Sequence, residues 1–316
     1  MNILKNFTII IPCIEFKDVK NSLKEIRKIY SSIKIIVCLN NKIKFQNKDR
    51  NTLFIYSNSK SIGKKRNIAV MAAKTKYIAL IDSDAYPKKK WIENSVKYLK
   101  YPNVGIVSGP NINPLNQNFN ENIIGIMKKS YLVSMKPRFQ RGYEKKAQYI
   151  KFLPSVNWIL EKKIFLKNKL MNSKMIRNED WDFVQRLKDI NLKVFYSPNS
   201  IVYHKNGSLD HFIIKRFKYG FYMSDVLNKN NSENYYFYTP LLFCIFLLSF
   251  PLAFMFKIYS IFYLVVLSIF FLTVIFETLR VTEKIELIPF VLILLIPSIL
   301  SPGFGIIFSI LNKKIK

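Results

Sequence analysis

KYIALIDSDAYP, residues 76–87, is the stretch on which the reading of this chain turns. Tyr77 to Ile81 has the length and apolar composition of a buried strand, and it runs directly into Asp82-Ser83-Asp84. Asp and Ser are good turn residues and Pro87 follows, so the two acids alone fit a plain turn. Their meaning depends on where the strand ends within the fold.

Working outward, FTIIIP (7–12) reads as a buried strand and KIIVCLN (34–40) as a second. Between them FKDVKNSLKEIRKIY (16–30) changes to helical spacing, with Val19, Leu23, Ile26 and Tyr30 on one face. TLFIYS (52–57) is a third strand and GKKRNIAVMAAK (63–74) a helix leading into the strand at 77–82. This alternation predicts an α/β fold with a mostly parallel sheet flanked by helices. Ligands of such sheets bind beyond the carboxyl ends of the strands, which is where Asp82 and Asp84 lie. Further on, WIENSVKYLK reads as a helix and VGIVSGP as a strand, and 111–150 as loops with one helix near 121–134. SVNWILEKKIFLK (155–167) is a strand running into a helix, and EDWDFVQRLKDI (179–190) a helix whose opening acids suit the positive end of its dipole. KVFYSP and SIVYHK are short strands.

The 316 residues carry a formal charge of +30, concentrated in residues 1–238, which hold 44 basic and 17 acidic side chains. Such a balance favours polyanions, whether nucleic acid, acidic lipid or phosphorylated substrate, although a lysine-rich surface coat gives the same count. Cys13, Cys38 and Cys244 form no metal or redox spacing, which fits a reducing compartment. The apolar run at the N-terminus is short, β-branched and without a small-residue cleavage site, so it reads as a strand and not as a signal peptide.

From Thr239 onward the chain is almost continuously apolar, in runs 239–256, 258–276 and 287–311. Lengths near 20 residues match a bilayer core of roughly 30 Å. A basic cytoplasmic domain followed by two spans would return Arg280 and Lys284 to the cytoplasm. A third span would place NKKIK outside, against the positive-inside rule. The third run, with Pro297, Pro302 and Gly303, is therefore expected to turn back within the membrane. HFIIKRFKYGFYMSDVL (211–227) interleaves Phe212, Ile213, Phe217, Phe221 and Leu227 with Lys215, Arg216 and Lys218, a pattern suited to a membrane interface. The expected organisation is a catalytic domain over 1–210, an interfacial segment over 211–238 and a transmembrane region of two to three spans, or a re-entrant hairpin, over 239–316.

Two carboxylates at a strand end can share a hard divalent cation, Mg²⁺ or Mn²⁺, and leave positions open for phosphate oxygens. Lys64, Lys65 and Arg66 open the preceding helix, where cations and backbone N–H groups favour phosphate. With these pieces in order the chain resembles the family 2 inverting glycosyltransferases, which have the nucleotide-sugar-binding GT-A fold. FTIIIP is similar to their first strand, and SIGKKRNIAVMAAKTKYIALIDSDAYP to their Gly…Ala-Arg-Asn helix and DxD strand. SVNWILEKKIF resembles the strand and helix covering the acceptor region. NEDWDFVQRLKDINLKVFYSPNSIVYHK is similar to their Glu-Asp helix, following strand and terminal His. The resemblance covers about residues 6–206.

It implies Asp84 as the main metal-binding carboxylate and Asp82 on the donor ribose or the metal. Arg66 would approach the base or diphosphate, Pro12 would line the base pocket, and His204 would lie near the diphosphate or complete the metal shell. Asp180 would be the catalytic base, supported by Glu179. The family's nucleobase-reading Asp at the end of the second strand is replaced by Leu39-Asn40, leaving Asn40 as the candidate donor contact. Without the Gln-x-x-Arg-Trp motif of processive synthases, transfer of a single sugar from a nucleotide-sugar donor is expected. The acceptor would be a lipid-linked glycan or surface polysaccharide at the cytoplasmic face of the cell membrane. The alternatives are a polyprenyl-phosphate glycosyltransferase, a basic nucleic-acid-binding membrane protein, or a non-catalytic homologue. No recognisable nucleic-acid module or aromatic stacking platform supports the nucleic-acid reading.

Overall fold

The computed structural model describes residues 3–42, 49–134, 137–227 and 238–314. The chain divides into two compact units, one of residues 1–115 with 138–205 and one of residues 116–137 with 206–316.

In the first unit β1 (Phe7–Pro12), β2 (Lys34–Leu39), β3 (Thr52–Tyr56) and β4 (Tyr77–Ile81) run parallel in the order β3-β2-β1-β4. Helices α1 (Phe16–Ile29) and α2 (Ile62–Ala72) make crossovers between them. Next along the chain come β5 (Ala85–Pro87), β6 (Val104–Ser108), β7 (Asn111–Ile112), β8 (Gln148–Ile150), β9 (Asn157–Glu161), β10 (Lys193–Tyr196) and β11 (Val202–His204). The main sheet has eight strands, ordered β3-β2-β1-β4-β9-β6-β10-β8. Strand β9 lies antiparallel between β4 and β6, and β8 is antiparallel on β10; the remaining pairs are parallel. Strands β5, β11 and β7 form a second, three-stranded sheet.

Alternate residues of one strand serve opposite faces, as a period of two requires. Ile9 and Ile11 of β1 pack in one core with Val37, Ala79 and Ile81, while Ile10 packs in the other with Ile36, Leu80 and Trp158. Burial on both faces is why these strands read as continuous apolar runs. Helices α3 (Trp91–Val96), α4 (Phe119–Met127), α5 (Pro137–Gln140), α6 (Lys162–Lys167) and α7 (Glu179–Leu187) follow, with α4 falling in the second unit.

The second unit also holds α8 (Leu209–Leu227), α9 (Thr239–Leu248), α10 (Phe250–Met255), α11 (Lys257–Val281) and α12 (Ile288–Lys314). Two stretches, Lys257–Val281 and Ile285–Asn312, are long and apolar enough to cross a membrane. The tail departs from expectation twice. The run 239–256 is not one span-length helix: it breaks at Ser249 into α9 and α10, because Pro251 has no N–H for the carbonyl four residues earlier. Ten residues of α9 rise only about 15 Å, half of a bilayer core. The run 287–311, expected to turn back, is instead one helix that passes through Pro297 and Pro302. The basic segment 211–227 is helical; residues 228–237 and the Leu227 side chain lie outside the described residues.

Asn157, buried at the start of β9, ties the two sheets together. Its Nδ2 donates to Pro110 O at 3.1 Å and Ser200 O at 2.7 Å, and its Oδ1 accepts from Trp91 Nε1 at 2.8 Å. Asn157→Leu removes the partner of Trp91 Nε1 and the side-chain donor to Ser200 O, while Pro110 O keeps the Val202 N–H, and is expected to cost about 3 kcal/mol. Denaturant unfolding in detergent checks this, and an unchanged midpoint would contradict the assignment.

Candidate active site

The carboxyl ends of β1, β2 and β4 open in one direction, and the site is built there and on α2, α7 and β11. Asp82 follows β4 directly, and Asp84 precedes β5. Strand β11 pairs antiparallel with β5, His204 opposite Ala85, which carries the His204 imidazole to Asp84. His204 Nε2 lies 3.1 Å from Asp84 Oδ1, and the Lys205 N–H donates to the Asp84 carbonyl at 3.0 Å. Ligand atoms of Asp82, Asp84 and His204 all lie within 4.8 Å of one another. Two carboxylates and an imidazole suit a hard to borderline divalent cation such as Mg²⁺ or Mn²⁺. His204 Nε2 is buried and forms no hydrogen bond of good geometry, although Asp84 Oδ1 is 3.1 Å away, so the pair suits a shared cation. Among the described residues this is the one acidic and histidine cluster with metal-binding geometry.

Arg66 stands behind that cluster. Its side chain is 3% exposed; Nη2 pairs with Asp82 Oδ1 at 2.6 Å and Nη1 with Glu179 Oε1 at 2.9 Å. A buried guanidinium requires such partners, and its planar fork can hold two carboxylates at fixed separation. The sequence reading has Arg66 approaching the base or diphosphate; its two terminal nitrogens are bound to carboxylates. Gly63, three residues earlier in α2, makes the approach possible. A Cβ there would meet Glu179 Cγ at 2.9 Å. The small residue at 63 and the arginine at 66 thus serve one junction, α2 against the start of α7.

Helix α7 begins abruptly after Asn178, whose φ of 64° is left-handed, and presents Glu179, Asp180 and Asp182 in its first turn. The helix dipole favours acids there. Asp180 accepts from Ser155 N at 3.3 Å, from Ser155 Oγ at 3.4 Å and from its neighbour Trp181 N at 2.8 Å. Burial, and next the Asp180 charge, push the Glu179 carboxyl up to about 7, while Arg66 pulls it back. Asp180 is also raised by burial; Arg66 and the Ser155 hydrogen bond oppose the shift, and Asp82 adds to it. That Asp82 and Arg66 act on both acids places carboxylates from two distant segments in one electrostatic neighbourhood.

Pro12 is buried at the end of β1, level with Cys38 of β2. Asn40 lies just past β2, held by its backbone N–H on the Ile14 carbonyl at 3.1 Å, and its Oδ1 is buried without a hydrogen-bond partner. Both occupy the same end of the sheet as Asp82, but neither is hydrogen-bonded to the acidic group. Sequence reasoning missed Ser155, which no motif marks. Lys65, read from the sequence with Lys64 and Arg66 as a cation suited to phosphate, is fully buried and donates to the Cys13 carbonyl at 2.5 Å beside that same strand end.

A model of glycosyl transferase family 2 matches residues 8–168, just over half of the chain, which takes in Pro12, Asn40, Arg66, Asp82 and Asp84. No curated protein matches the sequence. The solved structures that align with the chain include the following two. One is GalNAc-T7 with UDP, GalNAc and Mn²⁺, at 10% identity and a TM-score of 0.46, covering 65% of this chain and 44% of that one. The other is S. aureus TarS 1–349, at 13% identity and a TM-score of 0.47, covering 98% of this chain and 92% of that one. The chain thus spans less than half the length of the first and most of the second.

The raised Glu179 has a thermodynamic signature. The folded chain binds its proton more tightly than the unfolded chain, whose carboxyl titrates near 4.5. Its contribution is therefore fully present below about 4.5 and is lost as pH rises through about 7. Melting temperature in detergent should fall across that window in wild type, and less in Glu179→Gln. Equal slopes for the two proteins would contradict the assignment.

Proposed function

This chain belongs to glycosyl transferase family 2 and is a glycosyltransferase, and from that premise we propose that it transfers one sugar from a nucleotide-sugar donor with inversion at the anomeric carbon. The observation that carries the reading is the meeting of Asp82, Asp84 and His204 within 4.8 Å, joined through Arg66 to Glu179 at the head of α7.

In this reading Asp84, Asp82 and His204 hold Mg²⁺ or Mn²⁺. Bound there, the ion supplies Lewis-acid neutralisation of charge on the departing diphosphate. Pro12 and Asn40 bound the donor's base at the ends of β1 and β2. The acceptor hydroxyl attacks the anomeric carbon as the bond to the nucleotide diphosphate breaks, and its proton passes to Asp180. A base must reach that proton and be ionised, and a carboxylate raised by burial is a stronger base than one in water. Arg66 and Ser155 counter part of the effect of burial on Asp180, and Glu179 fixes Arg66. The acceptor is a lipid-linked glycan or surface polysaccharide. The apolar helices attach the protein to the cytoplasmic face of the cell membrane, where a soluble donor and an amphiphilic acceptor can meet.

A thermal-shift screen of nucleotide sugars on the detergent-purified chain tests donor and metal together. One nucleotide class with Mn²⁺ is expected to raise the melting temperature of wild type and not of Asp84→Ala. A shift with no nucleotide sugar, or an equal shift in the variant, would contradict the site. Asp180→Asn should keep the donor-induced shift and lose about 10²- to 10⁴-fold in transfer to a hydroxyl acceptor. Undiminished transfer by that variant to a polyprenyl phosphate would move the acceptor to the lipid phosphate itself, whose oxygen needs no base.

A further inference from the structure

We infer that α12, although apolar enough to cross a bilayer, does not cross it. Only the hairpin of α9 and α10 with α11 enters the lipid, and the C-terminus stays on the side from which the chain enters. The inference rests on the proposed membrane attachment and concerns its form.

The geometry comes from α8, which lies against α12 and runs in the same direction. Phe212 shares an apolar cluster with Val291 and Leu295, Arg216 Nε donates to the Ser298 carbonyl, and Gly220 faces Pro302. Gly220 and Gly305 let the two backbones touch, since a Cβ at either would overlap the main chain of the other helix. Residues of α8 therefore sit at the height of the middle of α12.

Those residues are charged. Pro302 has no N–H for the carbonyl of Ser298, and Arg216 supplies the missing donor while also bonding Val133 O at 2.8 Å. The guanidinium is thereby fixed beside the midpoint of α12. Lys218, one turn of α8 away at most, is exposed, and Lys215 precedes Arg216 directly. If α12 spanned the membrane, these three cations would lie near its centre. Half of a 27-residue helix is about 20 Å long, too far for a lysine or arginine side chain to reach either surface. Charge at that depth is strongly disfavoured. Laid along the interface, the same pair turns Phe290, Ile293, Phe304 and Phe308, all exposed, toward lipid and leaves the exposed Lys218 free to reach phosphate.

The hairpin has the opposite character. Between Lys257 and Glu277, α11 has no charged residue, and Phe262, Leu264, Leu272 and Phe276 are exposed along it. At the α9–α10 break, Tyr263 Oη donates to the Leu247 carbonyl at 3.1 Å, the group that Pro251 leaves without a partner. Hydrocarbon demands that kind of internal satisfaction. The hairpin turns at the extended Phe256, so the chain comes back after it. An interfacial α12 then keeps the basic NKKIK end on the entry side, in accord with the positive-inside rule.

Full-length chain expressed in bacteria with a C-terminal reporter tests this. One fusion carries green fluorescent protein, which fluoresces only inside, and the other alkaline phosphatase, which is active only outside. Membrane-bound fluorescence with phosphatase at background is expected. Phosphatase activity from membrane-bound protein would overturn the inference and leave attachment intact. Recovery of both fusions in the soluble fraction would overturn attachment and this inference together.

Discussion

The active site of this chain depends on one buried cation. Arg66 is almost fully shielded from water and is paired at once with Asp82, at the end of β4, and Glu179, at the head of α7. A lone guanidinium in that position would be very costly, and so would the clustered carboxylates without it. The three groups make one another tolerable. As a result an acid from the first third of the chain and a pair of acids more than ninety residues later are held in one neighbourhood. The remainder of the site follows from strand pairing, with β11 beside β5 delivering His204 to Asp84.

Much of this arrangement can be read in the sequence. Continuous β-branched runs mark β1, β2 and β4 because both faces of the sheet are covered, and the acids after Ile81 stand at a carboxyl strand end for the same reason. The opening acids of α7 and the histidine closing β11 are visible as motifs in order. What is not legible is pairing over distance. Nothing local in NWILE says that β9 will insert antiparallel between β4 and β6, since its register is fixed by neighbours far along the chain. Ser155 carries no motif, yet it is the residue that hydrogen-bonds Asp180 from outside its helix. Arg66 is legible as a cation near phosphate but not as the counter-ion of two carboxylates, because only folding brings Glu179 to it.

The apolar tail shows the same limit from another direction. Hydropathy marks three runs as alike, but prolines at 251 and 302 leave carbonyls with different rescuers, a tyrosine hydroxyl in one case and a guanidinium in the other. The first kind of rescue is compatible with hydrocarbon and the second is not. Composition alone ranks α12 beside α11 as a candidate span; its neighbour α8 separates them.

The most direct measurement of the central claim is a double-mutant cycle between Arg66 and Glu179, read as unfolding free energy of the detergent-purified chain. Arg66→Met strands the buried Glu179 carboxylate and leaves half-buried Asp82 without its partner, and is expected to cost about 3–5 kcal/mol. Adding Glu179→Gln should recover part of that loss, so that the double variant is more stable than the sum of the single effects. Strict additivity would mean that the two side chains do not share a buried pair, and the picture of an arginine gathering the acids would be wrong.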